Sequence, residues 1–228
     1  MKEYFSNEIT KLKTNLVKMA SLVDEQVDQA FRALETGNVE LCKGIKAKDK
    51  EIDAYDNLIT LQCENILALF QPVAGDLRFI ISALMINKQL ERCGDIAVNI
   101  SQRVKKTGEY HSLIEESQIL EMGRESKEML KKAIDSFING NVELSDAVLV
   151  SDDKVDTLNK LIFKFLVDKM QKNPSLVEPC SHLIVLTRNI ERLADHATNI
   201  AENLLFFVQA RIVSHPKLNE EINPADES

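Results

Sequence analysis

Eight acidic residues fall into four pairs spaced i, i+4: Asp49/Asp53, Glu91/Asp95, Asp152/Asp156 and Glu191/Asp195. On a helix, residues four apart share a face and stand about 6 Å apart along the axis. The pairs are also level with one another. Asp53 and Glu91 lie equally far from Pro72 on its two sides, and so do Asp49 and Asp95. Around Pro174, Asp156 is matched by Glu191 and Asp152 by Asp195, each to within a single position. If the chain reverses direction at those prolines, each half of the molecule sets four carboxylates at one height on two adjacent helices. Like charges converging in this way call for protons, basic side chains or cations. Hard oxygen donors suit Mg²⁺, Mn²⁺, Ca²⁺ or iron, and zinc less well. Asn99 and Asn199 extend each column by one turn and are candidate outer-sphere partners. Glu25 and Glu128 share the same level, being equally far ahead of the helix-ending Gly37 and Gly140, and are further candidates. The plainer reading is a solvated acidic face, with Lys88, Arg92, Arg188 and Arg192 placed to pair with the acids.

The elements that must carry these pairs are helices. With 7 Gly, 5 Pro and no Trp among 228 residues, breakers are scarce and good helix formers abundant. Turn signals at Gly37-Asn38, Pro72–Asp76, Thr107-Gly108, Gly140-Asn141 and Asn173-Pro174 divide the chain into six segments. The expected helices span 4–36, 39–70, 76–106, 113–139, 142–172 and 176–212. Ser112-x-x-Glu115 and Ser175-x-x-Glu178 read as capping boxes for the fourth and sixth. In the sixth, Leu183, Leu186, Ile190, Leu193, Ala197, Ile200 and Leu204 keep a 3-4 spacing. The third carries the same seam, at an offset of 100, in Ala83, Ile86, Leu90, Cys93, Ala97, Ile100 and Val104. Such stripes bury one face of a helix in a bundle.

The halves are copies of one unit. GNVEL occurs at residues 37–41 and again at 140–144, an offset of 103. Glu91-Arg92, Asp95 and Asn99-Ile100 match Glu191-Arg192, Asp195 and Asn199-Ile200 at an offset of 100. The difference of three falls in the connection between the second and third helices of each half, where a loop absorbs it cheaply. The expected fold is all-α, two tandem duplicated three-helix bundles: residues 1–108, residues 109–212, and a loose, acid- and proline-bearing tail from 213 to 228.

Composition excludes several classes of function. A net charge of −8 without a dense basic cluster disfavours a nucleic-acid partner. No stretch approaches the roughly 20 apolar residues that span a bilayer, and no signal-peptide core opens the chain, so a cytoplasmic protein without direct membrane insertion is expected. Cys42, Cys63, Cys93 and Cys180 lack C-x-x-C or zinc-finger spacing and read as buried thiols. There is no Glu-x-x-His pair of the di-iron bundle type, no Walker loop and no nucleophile elbow. No catalytic residue emerges, and the chain is expected not to be an enzyme.

The segments QPVAGDLRFIISALMINKQLERCGDIAVNI (71–100) and NIERLADHATNIAEN (189–203) resemble the two signatures of PhoU proteins. The second half lacks the P-x-A-x-D-L-R opening found at 72–78. The resemblance implies two three-helix bundles, each binding a multinuclear cluster of metal ions (iron, zinc, manganese or magnesium) through paired E(D)xxxD motifs. Those motifs fall on Asp49/Asp53 with Glu91/Asp95, and on Asp152/Asp156 with Glu191/Asp195. It further implies a negative regulator of phosphate uptake and phosphate-starvation signalling. The implied partners are the ATPase subunit of a phosphate ABC transporter, a sensor histidine kinase, and further copies of the chain in a homodimer or higher homo-oligomer. The competing reading is a metal-storage or metal-dependent hydrolytic bundle.

Overall fold

The apolar stripes and turn signals translate into helices in the computed structural model, which describes residues 2–210. Six long helices carry the architecture: α1 (Lys2–Thr36), α2 (Ile45–Phe70), α3 (Ala74–Thr107), α5 (Ile119–Asn139), α6 (Val142–Lys172) and α7 (Val177–Gln209), with a short α4 (His111–Glu116) leading into α5. No strand occurs among the described residues. The expected tail at 213–228 lies outside them.

Each half is a bundle in which all three long helices touch one another, α1, α2 and α3 in the first and α5, α6 and α7 in the second. The halves join through α3 against α7 and α1 against α5. The two stripes read from the sequence supply the core. All seven seam residues of α7 are fully buried, and those of α3 are buried to within 2%. Leu12, Leu16, Met19, Val23 and Val27 bring the matching face of α1. Each such aliphatic side chain withdrawn from water contributes roughly 1.5–3 kcal/mol. All four cysteines are free and buried, as thiols among apolar neighbours.

Two of the expected helices are interrupted. The stretch read as 39–70 begins with a 3₁₀ turn over Val39–Cys42, capped by Asn38, whose side chain accepts from the Glu40 N–H. The α-helix restarts only at Ile45, because Gly44 sits at φ +88°. The stretch read as 113–139 breaks at Ser117 and Gln118, the latter at φ +61°. The capping box expected at Ser112 does not form. A 3₁₀ turn over Gly108–Tyr110 feeds directly into α4, and Tyr110 offers no side-chain cap. Ser175 is likewise no cap acceptor: its N–H and Oγ–H both donate to Asn173 Oδ1, at 3.1 and 2.8 Å. The α7 helix closes at Gln209 with Ala210 left-handed, short of the expected 212. Gly140 (φ +64°) and Asn141 serve as expected, ending α5 and capping α6 through the Leu144 N–H.

Close approach of the two halves depends on Gly123 of α5. A Cβ there would stand 2.7 Å from the Phe31 ring of α1, which is itself 2% exposed and has nowhere to move. Gly123→Ala is therefore expected to destabilise the fold by about 1–3 kcal/mol through overpacking. Gly75→Ala, which meets nothing within 4 Å in the first turn of α3, should be neutral or stabilising. Urea denaturation of the two variants beside the parent chain checks the contrast; equal midpoints would contradict it.

Candidate functional site

Helices α2 and α3 run side by side in opposite directions, and so do α6 and α7, because short connections at Pro72 and Pro174 reverse the chain. The i, i+4 acids stand beside the buried seams, so they emerge at the rim of the groove between each pair of helices. In the first half Asp49 and Glu91 are half-buried, while Asp53 and Asp95 are exposed. In the second half Asp152, Asp156 and Glu191 are half-buried and Asp195 is exposed.

The carboxylates of each foursome feel one another across the groove. Burial raises the pKa of Asp49 above the usual carboxylate range, and the charges of Asp95 and Asp53 raise it further against a stabilising hydrogen bond from Gln26. Glu91 is raised by burial, then by Asp95, with Asp56 and Asp53 adding and Lys88 opposing. Asp152 is pushed up to about 6 by burial, with Asp156 and Asp195 next among its causes. Glu191 and Asp195 are raised too, each by burial first and by Asp156 in addition, with Arg188 opposing. Glu91 thus lies within electrostatic range of Asp53, and Glu191 and Asp195 within range of Asp156. Asp49 Oδ1 faces α3, where a Cβ on Gly94 would stand 3.5 Å from it.

The grouping has limits. Among the described residues no three His, Cys, Asp or Glu side chains converge closely enough to hold an ion as they stand. Asn99 and Asn199 follow one turn on, exposed and half-buried respectively, and no hydrogen bond to the foursomes is found for them among the described residues. Glu25 turns away from the α2/α3 groove to pair with Lys48 at 2.8 Å, and Glu128 pairs within α5 to Lys132 at 3.7 Å. Neither joins a foursome. The expected basic partners divide: Arg188 pairs with Glu191 on the next turn, whereas Lys88 crosses to α2 and pairs with Asp56 at 2.7 Å.

Three participants escaped the sequence reading. Gln26 of α1 is fully buried; its Nε2 donates to the Ile45 carbonyl at 3.0 Å and to Asp49 Oδ1 at 3.4 Å, and its Oε1 has no partner. Gly94 makes room for it, since a Cβ there would stand 3.0 Å from that Oε1. In the second half the equivalent residues are Met129 and Ala194, so the wall behind that foursome is apolar. Asp56 is the third: it is 8% exposed and accepts from Asn87 Nδ2 at 2.7 Å as well as from Lys88. A glutamine within the apolar stripe of α1, and an acid one turn beyond Asp53, were the available signals. His196 belongs to the packing between halves. Its Nδ1 meets Gln89 Oε1 of α3 at 2.8 Å, and burial, with Arg92 and Arg192 adding, lowers its pKa to about 4, so it is neutral at physiological pH.

A carboxylate donor set with raised proton affinity, backed by an apolar wall in one half and a buried amide in the other, has the chemistry that suits a hard cation. His196 is turned into the core against Gln89.

Comparison with known proteins gives the same outline. The PhoU domain matches residues 16–104 and again residues 119–204. A phosphate-specific transport system accessory protein PhoU homolog of Aquifex aeolicus is 36% identical over 214 residues, covering 94% of this chain and 97% of its own length. A protein of the same description from Caulobacter vibrioides is 31% identical over 203 residues, covering 89% and 88%. The crystal structure of PhoU from Pseudomonas aeruginosa superposes with a TM-score of 0.85 at 30% identity, covering 91% of this chain and all of that one. The phosphate transport system regulatory protein PhoU from Streptococcus pneumoniae gives 0.81 at 26% identity, covering 92% and 99%.

The raised pKa of Asp152 carries a sign that can be checked. Because the folded-state value, about 6, lies above the ordinary 3.8, the ionised form costs stability above pH 6. That cost fades as the pH falls from 6 towards 4. Asp152→Asn removes it, so melting at pH 7.5 should rise by about 2–4 °C, equivalent to about 1 kcal/mol after allowance for solvent screening. Calorimetric melts at pH 7.5 and pH 4 should show the gain at the first and its loss at the second. A gain equal at both values would point to packing instead.

Proposed function

The chain belongs to the PhoU family, and from that premise we propose that it restrains phosphate uptake as a cytoplasmic accessory protein of a phosphate transport system. The observation that supports this most directly is the pair of PhoU domains spanning both halves, with relatives named for that system that align over almost the whole chain. The family consists of regulatory accessory proteins rather than enzymes, and this chain is not an enzyme. Among the described residues no helix is long and apolar enough to cross a membrane.

The finer reading has two parts. The chain acts as an adaptor that docks on the ATPase subunit of a phosphate ABC transporter and on a sensor histidine kinase. Its two acidic grooves bind divalent or trivalent cations. Asp49, Asp53, Glu91 and Asp95 would hold the ion or cluster in the first half, and Asp152, Asp156, Glu191 and Asp195 in the second. The mutual repulsion within each foursome supports this, since a bound cation would relieve it. A bound cation there supplies charge neutralisation and ties α2 to α3, or α6 to α7. Gln26 holds Asp49 in place from α1, and Arg188 holds Glu191 from one turn away.

Two measurements test this reading. Deleting the chain from its source organism should leave phosphate uptake high when phosphate is plentiful; uptake that still falls normally would overturn the regulatory role. Titration of the purified chain with Mn²⁺ or Fe²⁺ by calorimetry should show two classes of site. Asp53→Asn/Glu91→Gln should abolish the first-half class and leave the second. Unchanged binding in that variant would reduce the foursomes to a solvated acidic surface.

A further inference from the structure

The two halves also differ beside the foursomes, one to two turns nearer the α6–α7 connection. There α6 and α7 frame a trough of about 730 Å³. Its floor and walls include Phe163, Ile184 and Val185, with Phe163 52% and Val185 40% exposed. Phe163 and Val185 lie equally far from Pro174 on its two sides, so they stand level on opposite walls. Lys160 and Lys164 edge the trough on α6, and Arg188 and Arg192 edge it on α7, each pair at i, i+4. Arg188 pairs with Glu191 and the charge of Arg192 acts on Asp195, while no ion pair to Lys160 or Lys164 is found among the described residues.

The first half carries different chemistry on the same ground, with Leu61 56% and Met85 47% exposed. By the offsets of the duplication, Lys160, Phe163 and Lys164 correspond to Asn57, Thr60 and Leu61. Asn159, which lines the trough, corresponds to Asp56, the acid that takes up Lys88 at 2.7 Å. The first half therefore neutralises its cation internally. In the second half the acid is an amide, two lysines are added, and an aromatic ring lies open to solvent. These features sit on a chain whose net charge is −8.

We infer that the α6/α7 trough is a docking groove for an acidic amphipathic helix of a partner protein, whose apolar stripe lies on Phe163, Ile184 and Val185 between flanking carboxylates. The inference rests on the regulatory reading above, for which it names a contact surface. An apolar trough of this kind is the setting in which a helix lays its apolar face, and i, i+4 cations on both rims match the spacing of acids along a helix. An anionic membrane fits less well. The cations flank a concavity, which receives a helix, rather than a protruding apolar ridge that would enter a bilayer surface.

The test uses the full chain and a fluorescent five-turn helical peptide with a leucine stripe flanked by glutamates, read by anisotropy. A peptide with lysines in place of the glutamates serves as control. The acidic peptide should bind, lose affinity as salt rises, and bind at least tenfold more weakly to Lys160→Glu/Lys164→Glu, whose substituted side chains are exposed and leave the core untouched. Val185→Glu should weaken it similarly, while the lysine peptide should not bind. Equal binding of the acidic peptide by parent and variants overturns the groove. So does binding of phosphatidylcholine–phosphatidylglycerol vesicles, lost in the double variant, when neither peptide binds; the patch is then a membrane contact. Concentration-dependent self-association that the double variant abolishes, again without peptide binding, assigns the trough to a second copy and also overturns it. Normal control of phosphate uptake by the double variant overturns the groove as a regulatory contact and leaves the regulatory reading standing, since that reading fails only if deletion of the chain is without effect.

Discussion

Everything else in the molecule depends on burying one apolar stripe twice. The seam of α3 and its copy on α7 are each covered by the two other helices of their own half, and the same two helices pack against each other. A helix covered on so many sides cannot rotate without exposing aliphatic surface that costs roughly 25 cal/mol per Å². That rotational lock sets the outward direction of Glu91, Asp95, Glu191 and Asp195, which stand on the same helices just off the seam. Burial at the helix boundary, and the neighbouring acids after it, raise the proton affinities of Glu91, Asp152 and Asp195.

Duplication gives the molecule an internal control. The two halves share a plan yet have diverged where plan and chemistry meet. Behind the first foursome stands a buried amide in space left by a glycine; behind the second stand Met129 and Ala194. Of the second-half acids, Asp152 is raised far enough to reach about 6, with an apolar wall behind it and no amide like Gln26 to donate to it. The neighbouring ground has diverged as well: Asp56 pairs with Lys88 in the first half, while an amide, two lysines and an exposed phenylalanine take the matching positions in the second. The two halves therefore present different surroundings to their acids and different charge on the adjoining face. The regulatory reading of the PhoU family accommodates that asymmetry without requiring catalysis.

Much of this was legible in the residues alone. Helical class, the six long segments, the duplication and the buried seams follow from periodicity and turn residues, which are local properties read within a few turns of chain. The level placement of the acid pairs also followed from counting, because antiparallel helices of constant rise convert sequence distance into height. Counting could not say which way a side chain faces around the helix. Glu25 and Glu128 show the consequence: both have the right height, and both turn to lysines away from the grooves. The interruptions at Gly44 and Gln118 were missed for a related reason. A single left-handed residue redirects a helix while the apolar pattern on either side continues.

The sequence by itself thus determined the repeating unit, its helices, its core positions and the candidate carboxylates, since each depends on residue type and spacing along one helix. Only the tertiary structure decided which carboxylates share a groove, that Gln26 backs Asp49, that Lys88 serves Asp56, and that His196 is buried as a neutral ring between halves. The same is true of the cationic trough, whose two walls are far apart in the chain and become one surface where α6 and α7 meet. Charge and polarity act through space over a few ångströms, and the chain brings distant residues within that range only when it folds.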